Sequence, residues 1–135
     1  MLRSILYVSN SALVFSDDGS RIADIVDFSR GWNASVGITG ALISSEQHFV
    51  QFIEGPPPAI DDLITNLKAD RRHNGLHIVR DGPADARHFG DWSLAYSGPD
   101  TFIDRDLMPL LQDRDAAGPA LAANLLSRLR AMADV

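Results

Sequence analysis

Cysteine is missing from this sequence of 135 residues. Its absence excludes disulfides, thiolate metal sites, iron–sulfur clusters and cysteine nucleophiles. Basic residues are also few, since 12 Lys and Arg stand against 18 Asp and Glu and give a net charge of −6. Proteins bind the nucleic-acid backbone by neutralising phosphates with Lys and Arg, so we expect no nucleic-acid partner.

Long apolar runs are missing too. No segment approaches the roughly 20 consecutive apolar residues that cross a membrane. The apolar start MLRSILYVSNSALVF is interrupted by Ser9, Asn10 and Ser11 and has no clear cleavage site, so no signal peptide is predicted. With 45% hydrophobic and 22% charged residues, the composition is that of one globular domain, and we expect a cytoplasmic protein without a membrane partner.

The hydrophobic pattern predicts the element order βαββαββ, followed by helices. The strands are predicted at residues 4–9, 36–44, 48–55, roughly 76–80 and near 91–97. Two strand–helix–strand units with right-handed crossovers give an α+β, ferredoxin-like sheet with both main helices on one face. The first and third strands are central in this topology, so Tyr7 and Gln51 are expected to be neighbours. The other face of the sheet would be exposed unless tail helices or another subunit cover it, and we expect a homo-oligomer.

Apolar residues at helical spacing predict the two main helices. The first follows the polar stretch SDDGS, and the second begins at the prolines 56–58, where a missing N–H does no harm. Basic residues at 71–73 suit the negative end of the second helix dipole. The predicted helix ends are Gly31 and Asn74-Gly75.

Signatures of enzymes and metal sites are weak. The four histidines are scattered over different elements, and the glycines of GITG lie in an apolar strand without the Lys-Ser or Lys-Thr pair of a phosphate loop. No Ser/His/Asp order has the context of a nucleophile elbow. An acylphosphatase-like hydrolase would share the fold but needs an Arg in the loop after the first strand, and SNSALVF has none. We therefore expect neither enzymatic activity nor a metal.

Gln51 is a polar residue within an apolar strand. Alternate side chains of a strand lie on opposite faces, so Gln51 shares a face with Phe49 and Ile53. Its amide needs partners there, because a buried unpaired polar group costs ~1–3 kcal/mol. A backbone group or a trapped water would suffice. Further polar or amphipathic residues in apolar settings are Tyr7, Asn33 and Trp92. Together the four describe a pocket with aromatic walls and an amide placed to bind a planar polar ligand.

Six segments of the sequence occur in an order and spacing that is highly specific when they are taken together. They are YVS at 7–9, SRGWN at 29–33, GITGALI at 37–43, HFVQFIEG at 48–55, DRRH at 70–73 and RHFGDWS at 87–93. Through them, roughly residues 2–97 resemble a BLUF domain, the blue-light sensor that binds a flavin between the two helices of a ferredoxin-like fold. The resemblance implies a flavin chromophore, FAD or FMN, with FAD the expected one.

The resemblance implies a role for each matching residue. Tyr7 matches the tyrosine that gives an electron and a proton to the excited flavin. Gln51 matches the glutamine whose amide links that tyrosine to flavin N5 and the C4 carbonyl. Asn33 matches the asparagine that binds the C4 carbonyl and N3 edge. In BLUF proteins, light rearranges the glutamine by rotation, tautomerisation or both, which strengthens the hydrogen bond to the C4 carbonyl and shifts absorption to the red.

Other matching positions surround this group. Ser29 and Trp92 match residues around the tyrosine–glutamine pair. Arg72 and His73 match positions near the pyrimidine edge of the ring, although capping of a helix end explains them nearly as well. The residues expected to pack against the ring are Ile25 and Ile38.

Two positions depart from the family's pattern. Many relatives have methionine two residues after the tryptophan, and here Leu94 takes that place, which is close in volume but lacks the weak sulfur acceptor. The position before Asn33 is often His or Asn, and here it is Trp32. At the flavin edge, Trp32 would stack on the ring or donate an electron in competition with Tyr7.

The tail after the last strand is short, since about forty residues cannot hold a cyclase or phosphodiesterase domain. We expect a stand-alone photosensor domain at 1–98, a C-terminal helical extension or cap at 99–135, and an unknown downstream signalling protein. The tail should hold a short helix broken by Pro109 and a helix from roughly 119. Its Leu-rich side at 121–132 is a candidate transmitting surface or packs over the bare sheet face. The alternative function is a light-independent small-molecule-binding or assembly module.

Overall fold

The computed structural model of the chain describes residues 2–11, 20–44, 48–69, 73–90, 94–97 and 119–133. Within these ranges the strands are β1 (Leu2–Ser11), β2 (Thr39–Ser44), β3 (His48–Gly55), β4 (His73–Ala84) and β5 (Ala95–Ser97). The helices are α1 (Ser20–Val36), α2 (Pro57–Ala69) and α3 (Pro119–Ala133). The order along the chain is thus βαββαββα, which confirms the predicted α+β, ferredoxin-like class.

The strands form one sheet in the order β4-β1-β3-β2-β5. The central strands β1 and β3 are antiparallel, and their register places Tyr7 opposite Gln51, which confirms that the two are neighbours. A hairpin joins β2 and β3, and β4 pairs with the other side of β1. The short strand β5 extends the sheet beyond β2 and is parallel to it.

Each face of the sheet has its own apolar core. On one face, side chains of the central strands pack against α1 and α2, and this face is called the helix-pair face below. The buried residues there include Ile5, Tyr7, Ile38, Ile53 and Ile60. The opposite face, called the α3 face, buries Leu6, Val8, Val50, Phe52, Phe89, Leu125 and Leu129, among others. Strand alternation explains the division, because neighbouring residues of β1 enter different cores.

Helix α1 does not end near Gly31, as the sequence suggested, but continues to Val36. Trp32 and Val36 pack against the helix-pair core, and this apolar contact outweighs the low helix propensity of one exposed glycine. The helix instead ends at Gly37, whose φ of 78° is the left-handed conformation that favours glycine. The N–H of Ile38 then donates to the carbonyl of Asn33 at 2.9 Å, which closes a Schellman-type cap.

The second correction concerns the end of α2. The helix begins at the predicted prolines but ends at Ala69, and His73 is already the first residue of β4 rather than a helix terminus. Strand β4 is longer than predicted because its pairing with β1 extends from Ser11 opposite His73 to Leu2 opposite Ala84. Backbone pairing along a full-length central strand therefore overrides the local stop signal of Asn74-Gly75.

Helix α3 begins at residue 119, as predicted, and covers the α3 face of the sheet. Leu125 and Leu129 are fully buried there, and Leu126 is partly buried. The Leu-rich side of this helix therefore packs over the sheet. The side chains of Leu121 and Met132 and the predicted short helix around Pro109 lie outside the described residues. No helix in the part of the chain that the structure describes is long and apolar enough to span a membrane.

The packing of α3 predicts a large loss of stability when its buried side is truncated. Leu129→Ala should lower the free energy of unfolding by about 2–5 kcal/mol, because it removes buried methyl groups and leaves a cavity. Urea denaturation followed by circular dichroism measures the loss. The control Asn124→Ala, at an exposed position of the same helix, should stay within about 0.5 kcal/mol of the unmodified protein. Equal effects of the two changes would contradict the packing of α3 on the sheet.

Candidate functional site

The centre of the candidate site is a hydrogen bond between the two central strands. Tyr7 is 2% exposed and Gln51 is 6% exposed, and both lie on the helix-pair face. The hydroxyl of Tyr7 donates to Oε1 of Gln51. Since this bond occupies the oxygen end of the amide, the Nε2 donors of Gln51 are left for other partners. One partner of Gln51 is therefore Tyr7, rather than only a backbone group or a water.

Helix α1 supplies the second polar residue of the site. Asn33 is 1% exposed, and its Oδ1 atom accepts no hydrogen bond from the described residues, although the residue takes part in another interaction. The Schellman-type cap at Gly37 fixes the last turn of α1, where Asn33 lies. Ser29, one turn earlier, is half-buried. Trp32 packs against the core that contains Tyr7 and Ile38, so the predicted aromatic and apolar walls come together beside the Tyr7–Gln51 pair.

Leu94 belongs to an apolar cluster that includes Leu42, the β2 neighbour of Gln51. It is 1% exposed and packs with Val26, Leu42 and Phe49. Leu42 is directly opposite Gln51 in the β2–β3 register. The backbone carbonyl of Leu94 accepts a hydrogen bond of 2.9 Å from Nε of Arg30, so α1 is tied to the start of β5. The position where many relatives have methionine is therefore a buried wall of the site.

Several predicted site residues cannot be placed. Arg72 and Trp92 lie outside the described residues, and the side chains of Ile25 and His73 are also undescribed. The residues that the structure does bring together are Tyr7, Trp32, Asn33, Ile38 and Gln51. In the described part of the chain, no three His, Asp or Glu side chains are grouped in a way that could hold a metal ion.

Glu54, which the sequence did not reveal as a site residue, is 0% exposed on β3. Its Oε1 accepts from the N–H of His88 at 2.7 Å, and its Oε2 accepts from the N–H of Phe89 at 2.7 Å and from Oγ1 of Thr39 at 2.8 Å. The alternation argument used for Gln51 also applies here, because Glu54 shares a strand face with Val50 and Phe52. A carboxylate on an apolar strand face was the signal that could have revealed this network.

The residues of the site fit a flavin. An isoalloxazine ring is planar, has apolar faces and carries carbonyl and N–H groups along one edge. The buried amides of Asn33 and Gln51 offer both donors and acceptors to such an edge. Trp32 and Ile38 offer flat and apolar surfaces to its faces. A few convergent polar groups in an apolar setting are typical of cofactor pockets.

Comparisons with known proteins support the same assignment. A profile of the BLUF family, described as sensors of blue-light using FAD, matches residues 2–95. Among solved structures, BlrB, a BLUF protein in its dark state, has a TM-score of 0.78 and 36% sequence identity, with 99% of this chain and 97% of that chain covered. The ground state of BlsA shares the fold with a TM-score of 0.77 at 24% identity, over 96% of this chain and 88% of that chain.

Curated relatives are much longer proteins. The photoactivated adenylate cyclase subunit beta of Euglena gracilis is 29% identical over 107 residues, which are 79% of this chain and 12% of that protein. The alpha subunit from the same organism is 30% identical over 93 residues, which are 69% of this chain and 9% of that protein. The present chain therefore spans about a tenth of the length of these relatives.

The family match covers more than half of the chain, and the fold and the buried tyrosine–glutamine pair agree with it. The prediction that residues 2–95 form a flavin-binding blue-light sensor domain is thereby confirmed, and nothing in the comparisons favours a light-independent module. The chain belongs to the BLUF family of blue-light sensors that use FAD.

Proposed function

We propose that Tyr7 and Gln51 are the light-responsive pair of this photoreceptor. The observation that carries the proposal is the hydrogen bond from the Tyr7 hydroxyl to Gln51 Oε1, made between the two central strands. Because both residues are buried, neither the Tyr7 hydroxyl nor the Gln51 amide can replace its partner by bulk water. A change of protonation at Tyr7 therefore requires a change in the hydrogen bonding of Gln51.

The flavin is held between α1 and the sheet in this proposal. Asn33 and Gln51 hydrogen-bond the polar edge of the ring, while Trp32 and Ile38 pack on the ring itself. The positions of Ile25, Arg72 and His73 are assigned to the ring surface and its pyrimidine edge by resemblance to the family. A bound flavin would supply the absorption of blue light and the acceptor for an electron and a proton. The protein contributes position and electrostatics.

The amide of Gln51 is the switching group. While Tyr7 keeps its hydroxyl proton, it donates to Oε1 of Gln51. Loss of that proton turns the Tyr7 oxygen into an acceptor. Gln51 then satisfies it only with a donor, which is an N–H after rotation of the amide or the O–H of the imidic tautomer. The two ends of an amide are similar in size, so both arrangements fit one cavity. Buried networks penalise intermediate arrangements, and the protein therefore has two discrete states.

Ser29 and Trp92 are assigned supporting positions around the Tyr7–Gln51 pair. We also propose that the lit state is read by a separate signalling protein in the cytoplasm, that this chain itself carries no catalytic activity, and that it is a homo-oligomer. The curated cyclases carry an effector in a longer chain, which shows how one member of the family can be joined to an output.

Tyr7→Phe should abolish the light-induced red shift but leave flavin binding within about twofold of the unmodified protein. Phenylalanine keeps the ring that packs in the core and removes only the hydroxyl that donates to Gln51. The shift is measured by absorption spectra of the purified protein, recorded in the dark and just after blue light. Tyr96→Phe, at the second of the two tyrosines of the chain, is the matched control and should keep the shift. A red shift that persists without the Tyr7 hydroxyl would disprove the proposed pair.

Leu94→Met should accelerate dark recovery by up to about tenfold, with flavin binding unchanged. A thioether packed with Leu42, which lies opposite Gln51, adds a weak acceptor for Nε2 in the observed arrangement, in which Oε1 faces Tyr7. A weak hydrogen bond contributes at most the ~0.5–1.5 kcal/mol of an ordinary one, which favours return to that arrangement. Decay of the red-shifted absorbance after a blue-light pulse gives the rate. Leu94→Ile keeps a branched alkyl side chain of the same volume without sulfur and separates a general packing effect from a specific one. Slower recovery in Leu94→Met would contradict this explanation.

Trp32→Phe should lengthen the fluorescence lifetime of the bound flavin and raise the yield of the red-shifted state. The indole packs against the core that contains Tyr7, and it would compete with Tyr7 as an electron donor. Phenylalanine keeps an apolar ring but is a much poorer donor. Time-resolved fluorescence and transient absorption measure lifetime and yield. If both quantities match those of the unmodified protein, Trp32 serves only as a wall of the site.

A further inference from the structure

We propose that Glu54 is a positioning residue that couples the flavin site to helix α3 by fixing the segment Arg87–Phe89 to the start of β2. The proposal rests on the proposed function, because the motion to be coupled begins at Gln51. Glu54 is three residues from Gln51 on β3 but points to the opposite sheet face. It therefore takes no part in binding the flavin.

Glu54 is a fully buried carboxylate whose two oxygens are both used. They accept from two consecutive backbone N–H groups, of His88 and Phe89, and from the hydroxyl of Thr39. Burial of a carboxylate is costly unless such partners compensate for the lost water. The carboxylate is thus specifically stabilised where it holds the backbone of a segment 34 and 35 residues away in sequence.

Arg87 fixes the same segment from the other side. Its guanidinium donates to the carbonyl of Gly37 at 2.7 Å, to Oγ1 of Thr39 at 2.9 Å and to the carbonyl of Glu54 at 3.4 Å. Gly37 ends α1, the helix that carries Asn33. The turn is also tightly packed, since a Cβ added to Gly55 would lie 3.0 Å from the Gly37 carbonyl oxygen. The Arg87–Phe89 segment is therefore tied to the flavin-binding helix and to the sheet.

The segment Arg87–Phe89 contacts elements on both faces of the sheet. Phe89 is buried in the α3 core, where its ring centroid is 5.6 Å from that of Phe52. Leu94, five residues later, is buried on the helix-pair face beside Leu42. Phe89 and Leu94 thus lie on opposite faces of the sheet. A displacement at the end of α1 that follows rearrangement at the flavin site reaches Phe89 and α3 through the hydrogen bonds of Arg87 to Gly37 and Thr39.

Glu54 is needed because a loosely held Arg87–Phe89 segment would not transmit a displacement. Held by two backbone hydrogen bonds to Glu54, the segment passes a displacement on to the packed side chain of Phe89. Without the carboxylate, the two N–H groups would lose their acceptor. The segment would then move locally and would not pass the displacement on to Phe89. Coupling between two sites requires such a physically connected element with two arrangements. Loss of Glu54 should therefore separate the change at the flavin from the change at α3.

The test is Glu54→Gln in the full chain with bound flavin. One carboxylate oxygen becomes an NH₂ group that cannot accept from the donors around it. Two readouts are compared in the dark and under blue light: the red shift of absorption, and hydrogen–deuterium exchange of peptides from α3. In the unmodified protein, light should change the exchange of α3. In Glu54→Gln, the red shift should persist, whereas the light-induced difference in α3 should fall at least threefold.

Further variants separate positioning from stability. Thr39→Val removes one donor to the carboxylate with little change of shape and should reduce the α3 response in the same direction, which keeps the test valid if Glu54→Gln folds poorly. Glu54→Asp keeps both oxygens and should restore part of the response. Val79→Ala, which trims the α3 core from β4 near the other edge of the sheet, should weaken stability but keep the response.

The outcomes distinguish this inference from the proposed function. An unmodified protein without a red shift would defeat both. A red shift in the unmodified protein without any change at α3 would defeat the coupling alone. The coupling is also overturned if Glu54→Gln and Thr39→Val keep the full α3 response, if Glu54→Gln loses the red shift, or if Val79→Ala reduces the α3 response as much as Glu54→Gln does.

Discussion

The antiparallel pairing of β1 with β3 is the constraint on which the site depends. Its register puts Tyr7 opposite Gln51 at the centre of the sheet. A slip of one residue would send every side chain of one strand to the other face, and the tyrosine would then enter the α3 core. The apolar neighbours Ile5 and Ile53, which face the same core, prevent that slip because it would expose or misplace them too. Packing of the sheet thus sets the geometry of a polar contact.

The sheet separates two cores that differ in composition. The helix-pair face combines apolar walls with buried amides, whereas the α3 face is almost wholly apolar apart from residues such as Glu54. A ligand can therefore be held on one side while a helix is packed on the other, with a single layer of strands between them. Communication across that layer requires either movement of the strands themselves or a route around one of the two edges, which are β4 and β5.

Much of the fold was predictable because it depends on local alternation and on topology. The central position of β1 and β3, the burial of Gln51 and the start of α3 followed from these patterns. The end of α1 did not, because Gly31 is a local stop signal and the inward packing of Trp32 and Val36 is a tertiary effect. The network of Glu54 was also hidden, since its backbone donors come from a distant segment that no periodicity connects to β3. Residues that depend on such partners cannot be identified from neighbouring sequence alone.

The place of β5 at the edge of the sheet has a consequence for solvent. In the described part of the chain, Ala95–Ser97 form the edge and pair with β2. Elements at the edge of a sheet open locally at a fraction of the free energy of global unfolding. Leu94 precedes this strand and packs with Leu42, which lies opposite Gln51. Detachment of β5 would uncover this apolar neighbourhood, and access of water to the amide therefore depends on how firmly the edge of the sheet is held.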